Sequence, residues 1–416
     1  MPAPDRYARS REWLARAQRI TPGGAQTRSK MAQGFVEGAF PTHLERADGC
    51  RVWDVDGHEY IDLSMGLAAV GIGHGAIYLL GDICWIGSPS LSLPHPIEVE
   101  YGEALCHTLG YEQVRFVKTG SEATEAAMRI ARVATGRDLV VSIGYHGWHS
   151  VHDAAADAHP GVPDAYDAAV LGWPWGEPLI HAGAKVAAVL VEPALHTPPP
   201  EGYLLGLRKW CDQYDALLVF DEVVTGFRWA LGGAKEYFGV SPDLACFGKA
   251  MANGWPLAAV LGSRGVMEAG GRYISGTYGG EVLSLMAGKR TLEAYQERGV
   301  IGAIWRAGAT LIMGFNAAAR IHGAPYQLRG YPCKPYIYVT VDDPDRTWIS
   351  LLLQEAAREG VLLHPTSLCV AAAHEGDGVR EAVAGLERAM EAIVEGAKLE
   401  GLPSRPVFSR VTGPMS

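Results

Sequence analysis

An acid and an amine stand at the ends of two apolar runs in the middle of this chain. Ala216-Leu-Leu-Val-Phe-Asp221 is a β-rich run that stops abruptly at a carboxylate, as a buried central strand does when it delivers a side chain to the edge of a sheet. Pro242-Asp-Leu-Ala-Cys-Phe-Gly-Lys249 holds a second short strand and puts Lys249 just past its end. In open α/β sheets ligands bind beyond the carboxyl ends of the strands, so the two can meet there although 28 positions separate them. A lysine amine condenses with an aldehyde, and a carboxylate beside a pyridine nitrogen keeps it protonated, so that the ring accepts electrons from a carbanion. Pyridoxal phosphate needs both groups. Taken singly, Asp221 also reads as a helix cap and Lys249 as a solvated charge.

Other elements must bring further groups to the same edge. Val114-Arg-Phe-Val117 reads as a strand, and Lys118 to Arg132 as a turn opening a long helix that Gly136 ends. Gly120 and Ser121 at that N-terminus offer free N–H groups and a positive dipole end, which suit a phosphate. Ser121 reads equally as a plain N-cap supported by Thr124 or Glu125. The strand Leu139–Ile143 ends in Gly144-Tyr-His-Gly147, where Tyr145 can stack flat on a ring. Val186–Val191 is a further apolar strand, and Glu192 follows it. Strands ending at Ile143, Val191 and Phe220, separated by helical stretches, predict a doubly wound, largely parallel sheet. Trp255 to Gly262 reads as a return strand. Between Trp148 and Glu177 the periodicity is weak, and so long a loop reads as a lid or a disordered segment. His146, His149, His152 and His159 bring no His-Glu-x-x-His and no cysteine partner, so no metal site is assigned.

The flanking regions are simpler. Arg51 to Leu63 alternates around Asp56-Gly57 and predicts a hairpin; Tyr336 to Val341 predicts a strand; Trp348 to Arg358 and Gly378 to Ala397 predict helices. Trp13, Leu14, Ala17 and Ile20 read as the apolar side of a docked surface helix, and no secretory signal precedes them. With 416 residues, two domains are expected. A net charge of −10 and the lack of a basic block argue against a nucleic-acid partner. No apolar run is expected to reach the length of a membrane span, so no membrane partner is assigned. The seven scattered cysteines, without a Cys-x-x-Cys, read as reduced thiols of a cytoplasmic protein.

The run from Asp221 to Leu244, followed by Gly248-Lys249, closely resembles the class III aminotransferases, and most closely their glutamate-1-semialdehyde 2,1-aminomutase branch. The resemblance recurs in pieces over nearly the whole chain. It implies an α/β protein of the fold type I pyridoxal phosphate transferases. In these a large domain with a mostly parallel seven-stranded sheet, here 75–291, joins a smaller α+β domain built from both termini, here 1–74 and 292–416. It implies a Schiff base between Lys249 and pyridoxal 5'-phosphate, Asp221 at the ring nitrogen, Val223 beneath the ring and Tyr145 above it. His146 and Glu192 stand close by, and Gly120 and Ser121 hold the phosphate. Thr277, in Ser275-Gly-Thr-Tyr-Gly-Gly280, matches a residue that reaches the phosphate of the neighbouring subunit's cofactor, which implies an obligate homodimer.

In the family, the loop matching Thr21 to Lys30 gives a hydroxyl and an arginine to the substrate carboxylate. Here the aligned positions are Thr27 and Lys30, with Arg28 displaced by two, and lysine does not replace arginine in bidentate carboxylate binding. The stretch Ala76 to Pro94 also departs from the family pattern. The expected activity is therefore an aminotransferase that passes an amino group through pyridoxamine phosphate, from a small amine to an aldehyde or ketone. One alternative is an aminomutase that shifts nitrogen within one substrate. Another is a binding protein on the same fold without catalysis, against which the intact Lys249 and Asp221 speak. A nicotinamide dehydrogenase finds no Gly-x-Gly-x-x-Gly after any strand.

Overall fold

The computed structural model describes residues 5–76, 88–153, 161–174, 176–177, 179, 183–366 and 368–406. Most of the stretch from Ala76 to Pro94 and part of the Trp148 to Glu177 loop therefore lie outside the described residues. Among those described, residues up to Ala76 and from Gly302 onward form one compact unit, and Ser88 to Ile301 form a second.

The first unit opens with a helix, Ala8–Ile20. Its docked face is not the expected one. Tyr7, Ser10 and Leu14, three and four positions apart, are buried, while Trp13 is 38% and Ile20 84% exposed. Polar anchoring explains the rotation: the Asp56 carboxylate accepts from the Arg9 and Ser10 N–H groups at 2.7 and 2.9 Å. Strands β1 (Leu44–Asp48), β2 (Arg51–Asp54) and β3 (Glu59–Asp62) follow as an antiparallel meander. The β2–β3 turn contains Gly57 at φ +92°, a backbone region that glycine enters without steric cost.

The second unit contains β4 (Gln113–Val117), β5 (Leu139–Ile143), β6 (Val170–Gly172), β7 (Val186–Val191), β8 (Leu217–Asp221), β9 (Leu244–Phe247) and β10 (Ala258–Gly262). They make one seven-stranded sheet in the order β4-β10-β9-β8-β7-β5-β6. The neighbours from β9 through β6 are parallel, and β10 alone runs antiparallel to both its partners. Every residue of β7 and β9 is buried, as the unbroken apolar wording of parallel central strands requires. The helix Gly120–Thr135 turns Ala123, Ala127, Ile130 and Ala131 into this core. The short edge strand β6 and a helical turn, Ser150–Asp153, were not expected in the Trp148–Glu177 region. Strands of three residues are too short for a period-two pattern to register.

The chain then returns to the first unit. There it adds the hairpin β11 (Tyr326–Tyr331) and β12 (Lys334–Val339), the helix Thr347–Arg358, the short strand β13 (Val361–Leu362) and the helix Asp377–Val394. Strand β13 pairs parallel with β3, so the four-stranded sheet takes strands from both ends of the chain. The helix Val300–His322, 23 residues, is long and apolar enough to cross a membrane, which corrects the expectation that no run reaches that length. Its Ala307, Leu311, Phe315, Ala318 and Ala319 are buried in the unit's core beside Leu352, Leu386 and Met390. That stripe, repeating every three or four residues, is what a core helix needs.

Candidate active site

The site forms at the carboxyl ends of the central parallel strands. Strand register pairs Asp221, the last residue of β8, with Cys246 of β9. Lys249 follows in a short turn, Lys249–Ala252. Its φ is +44°, the left-handed region that costs a side-chain-bearing residue roughly 1–2 kcal/mol. Such strain clusters where function over-determines the backbone.

The Asp221 carboxyl is 5% exposed and accepts from the Val223 N–H at 3.1 Å through Oδ1. At Oδ2 it accepts from Nδ1 of His146 at 2.8 Å. The other ring nitrogen of His146, Nε2, lies 3.1 Å from the Ile143 carbonyl oxygen. Both His146 nitrogens thus face oxygens, and the ring behind Asp221 keeps its carboxyl in one orientation. The sequence placed His146 near the cofactor; the structure assigns it this particular partner.

Two glycines set the turn that carries His146. Gly144 and Gly147 have φ of +110° and +114°. A Cβ at Gly147 would meet Ser121 Oγ at 2.2 Å, and one at Gly144 would meet Glu192 Oε2 at 2.6 Å. Glu192, at the end of β7, accepts from the Tyr145 N–H at 2.7 Å, so it fixes the turn that carries the Tyr145 ring, itself 40% exposed. Two further supports, Thr124 and His152, take roles here that differ from those read in the sequence. Thr124 donates its hydroxyl to the His146 carbonyl oxygen at 2.7 Å and lies 2.9 Å from Nε2 of His152, which is buried. These contacts cross from helix to loop, where no local spacing can announce them. His149 pairs with Glu125 at 2.6 Å, so the three histidines turn to three different partners.

Ser121 is not the N-cap of its helix. Thr119 is, with a reciprocal box in which Glu122 N–H donates to Thr119 Oγ1 at 3.2 Å and Thr119 N–H to Glu122 Oε2 at 2.8 Å. Glu122 Oε2 also takes the Lys118 N–H at 2.9 Å. The amides of Gly120 and Ser121 are left with no acceptor among the described residues. A Cβ on Gly120 would fall 2.8 Å from Val223 Cγ1, and one on Gly248 3.5 Å from the same atom, so Val223 packs between that helix start and the approach to Lys249. A carboxyl, a branched apolar side chain and two helix amides lie at this edge with the backbone that carries Lys249. These residues fit pyridoxal phosphate.

Thr277 lies elsewhere in the same unit, exposed on the loop before the helix Val282–Glu297. It lines a cavity of about 380 Å³ together with Leu91, Leu93, His95, Arg115 and Glu281. Thr27, Arg28 and Lys30 belong to the first unit, exposed on and beside a short turn, Arg28–Lys30.

A family model described as aminotransferase class III matches residues 35–162 and 178–372. The chain is 35% identical to the glutamate-1-semialdehyde 2,1-aminomutase of Desulforamulus reducens over 345 residues, 76% of this chain and 79% of the relative. It is 34% identical to the enzyme of that name from Gemmatimonas aurantiaca over 424 aligned positions, 93% of this chain and 97% of the relative. Among solved structures, the PLP internal aldimine form of the Sphingopyxis sp. MTA144 FumI protein superposes with a TM-score of 0.88 at 27% identity, covering 96% of this chain and 100% of that one. A glutamate-1-semialdehyde-aminomutase from Pseudomonas aeruginosa PAO1 shares the fold, with a TM-score of 0.80 at 22% identity over 92% of this chain and 94% of its own. Sheet order, family match and relatives of nearly equal length agree: the chain belongs to the class III aminotransferases, fold type I enzymes whose cofactor is pyridoxal 5'-phosphate.

Proposed function

We propose that the protein moves an amino group from a small amine donor to an aldehyde or ketone acceptor. The observation that carries this reading is the β8–β9 register, which sets Asp221 beside Cys246 and leaves Lys249 three residues further along the same edge. Pyridoxal phosphate, when bound, supplies an aldehyde that takes up the amino group and a ring that takes up the electron pair left when a substrate C–H bond breaks. This chain's residues do the rest. Lys249 would hold the cofactor through its amine and, once free, would move a proton at the substrate carbon. Asp221 accepts from the ring N–H and keeps it protonated, and His146 braces the carboxylate from behind. Val223 and Tyr145 would flank the ring. The Gly120 and Ser121 amides, with the Ser121 hydroxyl, bind the phosphate at the positive end of their helix. Glu192 holds the Tyr145 turn beside the substrate.

A homodimer with shared sites belongs to the same reading. Thr277 lines a cavity that none of Gly120, Ser121, Tyr145, Asp221, Val223 and Lys249 lines, which favours its serving a second subunit. Thr27, Arg28 and Lys30 are the substrate contacts proposed, and their charge favours an anionic substrate. A cytoplasmic location accords with the six described cysteines, all free thiols. The aminomutase is the second reading, favoured by relatives of that name at 34% and 35% identity.

Borohydride reduction of the purified protein, followed by peptide mapping, should mark Lys249. Substrate conversion should then need both an amine and a separate carbonyl compound. Conversion of an amino aldehyde with no second amino compound decides for the aminomutase. A cofactor that reduction fixes to any other residue sinks both readings.

A further inference from the structure

Strand β4 ties the segment that carries Thr277 to the turn that offers the Gly120 and Ser121 amides. Arg115, in the middle of β4, donates through Nε to the Ile274 carbonyl oxygen at 3.0 Å. One residue on, the Phe116 carbonyl oxygen would sit 2.9 Å from a Cβ at Gly279, so only glycine lets the loop lie this close to the strand backbone. Just past the strand, Lys118 Nζ lies 2.9 Å from Glu281 Oε2, with side chains only 18% and 14% exposed. Glu281 does not need this lysine to be satisfied. Its carboxylate already caps the helix Val282–Glu297, accepting from Leu283 N–H at 2.8 Å and Ser284 N–H at 3.1 Å. Lys118 therefore contacts both parts at once. Its backbone N–H is gripped by Glu122, inside the capping box that leaves the Gly120 and Ser121 amides available, and its side chain grips the loop that ends at Glu281.

A mostly buried ion pair gains little net stability, because desolvation offsets most of the attraction; what it adds is a fixed geometry between the parts it joins. We propose that Lys118 is a positioning residue: through Glu281 it fixes the Thr277 loop relative to the Gly120–Ser121 amides, coupling the phosphate held by this chain to the one Thr277 reaches. The proposal rests on the reading of Thr277 as a phosphate ligand given above.

The test is the rate at which pyridoxal phosphate leaves the loaded enzyme, followed by absorbance after dilution, together with the melting temperature of each cofactor-free protein. Lys118→Met removes the charge and keeps the length of the side chain, while Glu281 keeps its helix amides. It should speed release about tenfold, and the cofactor-free melting temperature should fall because Glu281 is left without its cation. Lys118→Arg, which can restore the pair, should return the rate to within about twofold. Thr277→Ala should speed release by a similar factor, and the Lys118→Met/Thr277→Ala double variant should be no faster than Thr277→Ala alone. Wild-type release from Lys118→Met, or multiplying effects in the double variant, overturns the proposal. If Thr277→Ala releases cofactor at the wild-type rate, the phosphate reading of Thr277 itself fails, whatever Lys118 does.

Discussion

Asp221 shows how little of a residue's chemistry lies in its own identity. An isolated carboxyl at a strand end is solvated and common. This one is nearly enclosed, with one oxygen on the Val223 N–H and the other on His146. The same enclosure makes it directional, since His146 holds Oδ2 and leaves the carboxylate little rotational freedom. Asp221→Asn removes the charge that keeps a ring nitrogen protonated and should lower kcat by about a thousandfold, comparable with losing one strong electrostatic stabiliser. His146→Asn loses one charge-assisted hydrogen bond behind that group, so kcat should fall by about tenfold to a hundredfold while the cofactor stays bound. Steady-state kinetics on cofactor-saturated protein measures both. A His146 variant with wild-type kcat would remove that residue from the site.

At the scale of elements, the site depends on turns that glycine alone allows. Gly147 combines a φ of +114° with a Cβ position 2.2 Å from Ser121 Oγ. Gly147→Ala should cost about 1–3 kcal/mol of stability and displace Ser121 from the phosphate, so both the melting temperature and cofactor retention should drop. If the melt shifts and retention does not, Ser121 is not a phosphate contact. The end of β8 carries a second carboxyl, Glu222, wholly buried, which accepts from Thr225 Oγ1 at 2.6 Å and from the Ala234 and Lys235 N–H groups at 2.7 and 3.1 Å. Burial pushes its pKa up to about 7, although those donors pull it down. The folded protein therefore binds this proton more tightly than the unfolded chain does. Its contribution to stability is fully present below the ordinary value of 4.5 and is lost as pH rises through about 7. Urea melts across that window should show stability falling by on the order of 2 kcal/mol more in the wild type than in Glu222→Gln, which cannot titrate. Parallel profiles for the two proteins would mean that folding leaves the Glu222 pKa unshifted.

At the scale of the whole molecule, the open question is which chain Thr277 serves. Its loop is exposed and lines its own cavity, apart from the residues gathered around Asp221. Co-expression of Lys249→Ala chains with Thr277→Ala chains separates the possibilities. If Thr277 acts on its neighbour, a mixed dimer gathers both defects in one site and leaves the other intact, so it should regain about half of the wild-type dimer's activity. If Thr277 acts within its own chain, every site in the mixture carries one defect and no recovery follows. Tagged mixed dimers, purified and assayed beside each parent, give the answer.

Period and punctuation in the sequence carried most of the fold. The unbroken apolar wording of β7, β8 and β9, the hairpin alternation around Asp56-Gly57 and the stop at Gly136 are local signals, because backbone geometry and strand burial act on neighbouring residues. The acid and amine at two strand ends were legible for the same reason. Only the tertiary structure could decide that His146 backs Asp221, that Thr124 and His152 steady His146, that Thr119 rather than Ser121 caps the helix, and that Lys118 reaches Glu281. Apart from the cap, which two hydroxyls two residues apart could each have made, these contacts join residues 22 to 163 positions apart. No spacing rule reaches that far: each depends on where the folded chain sets the ends of its strands.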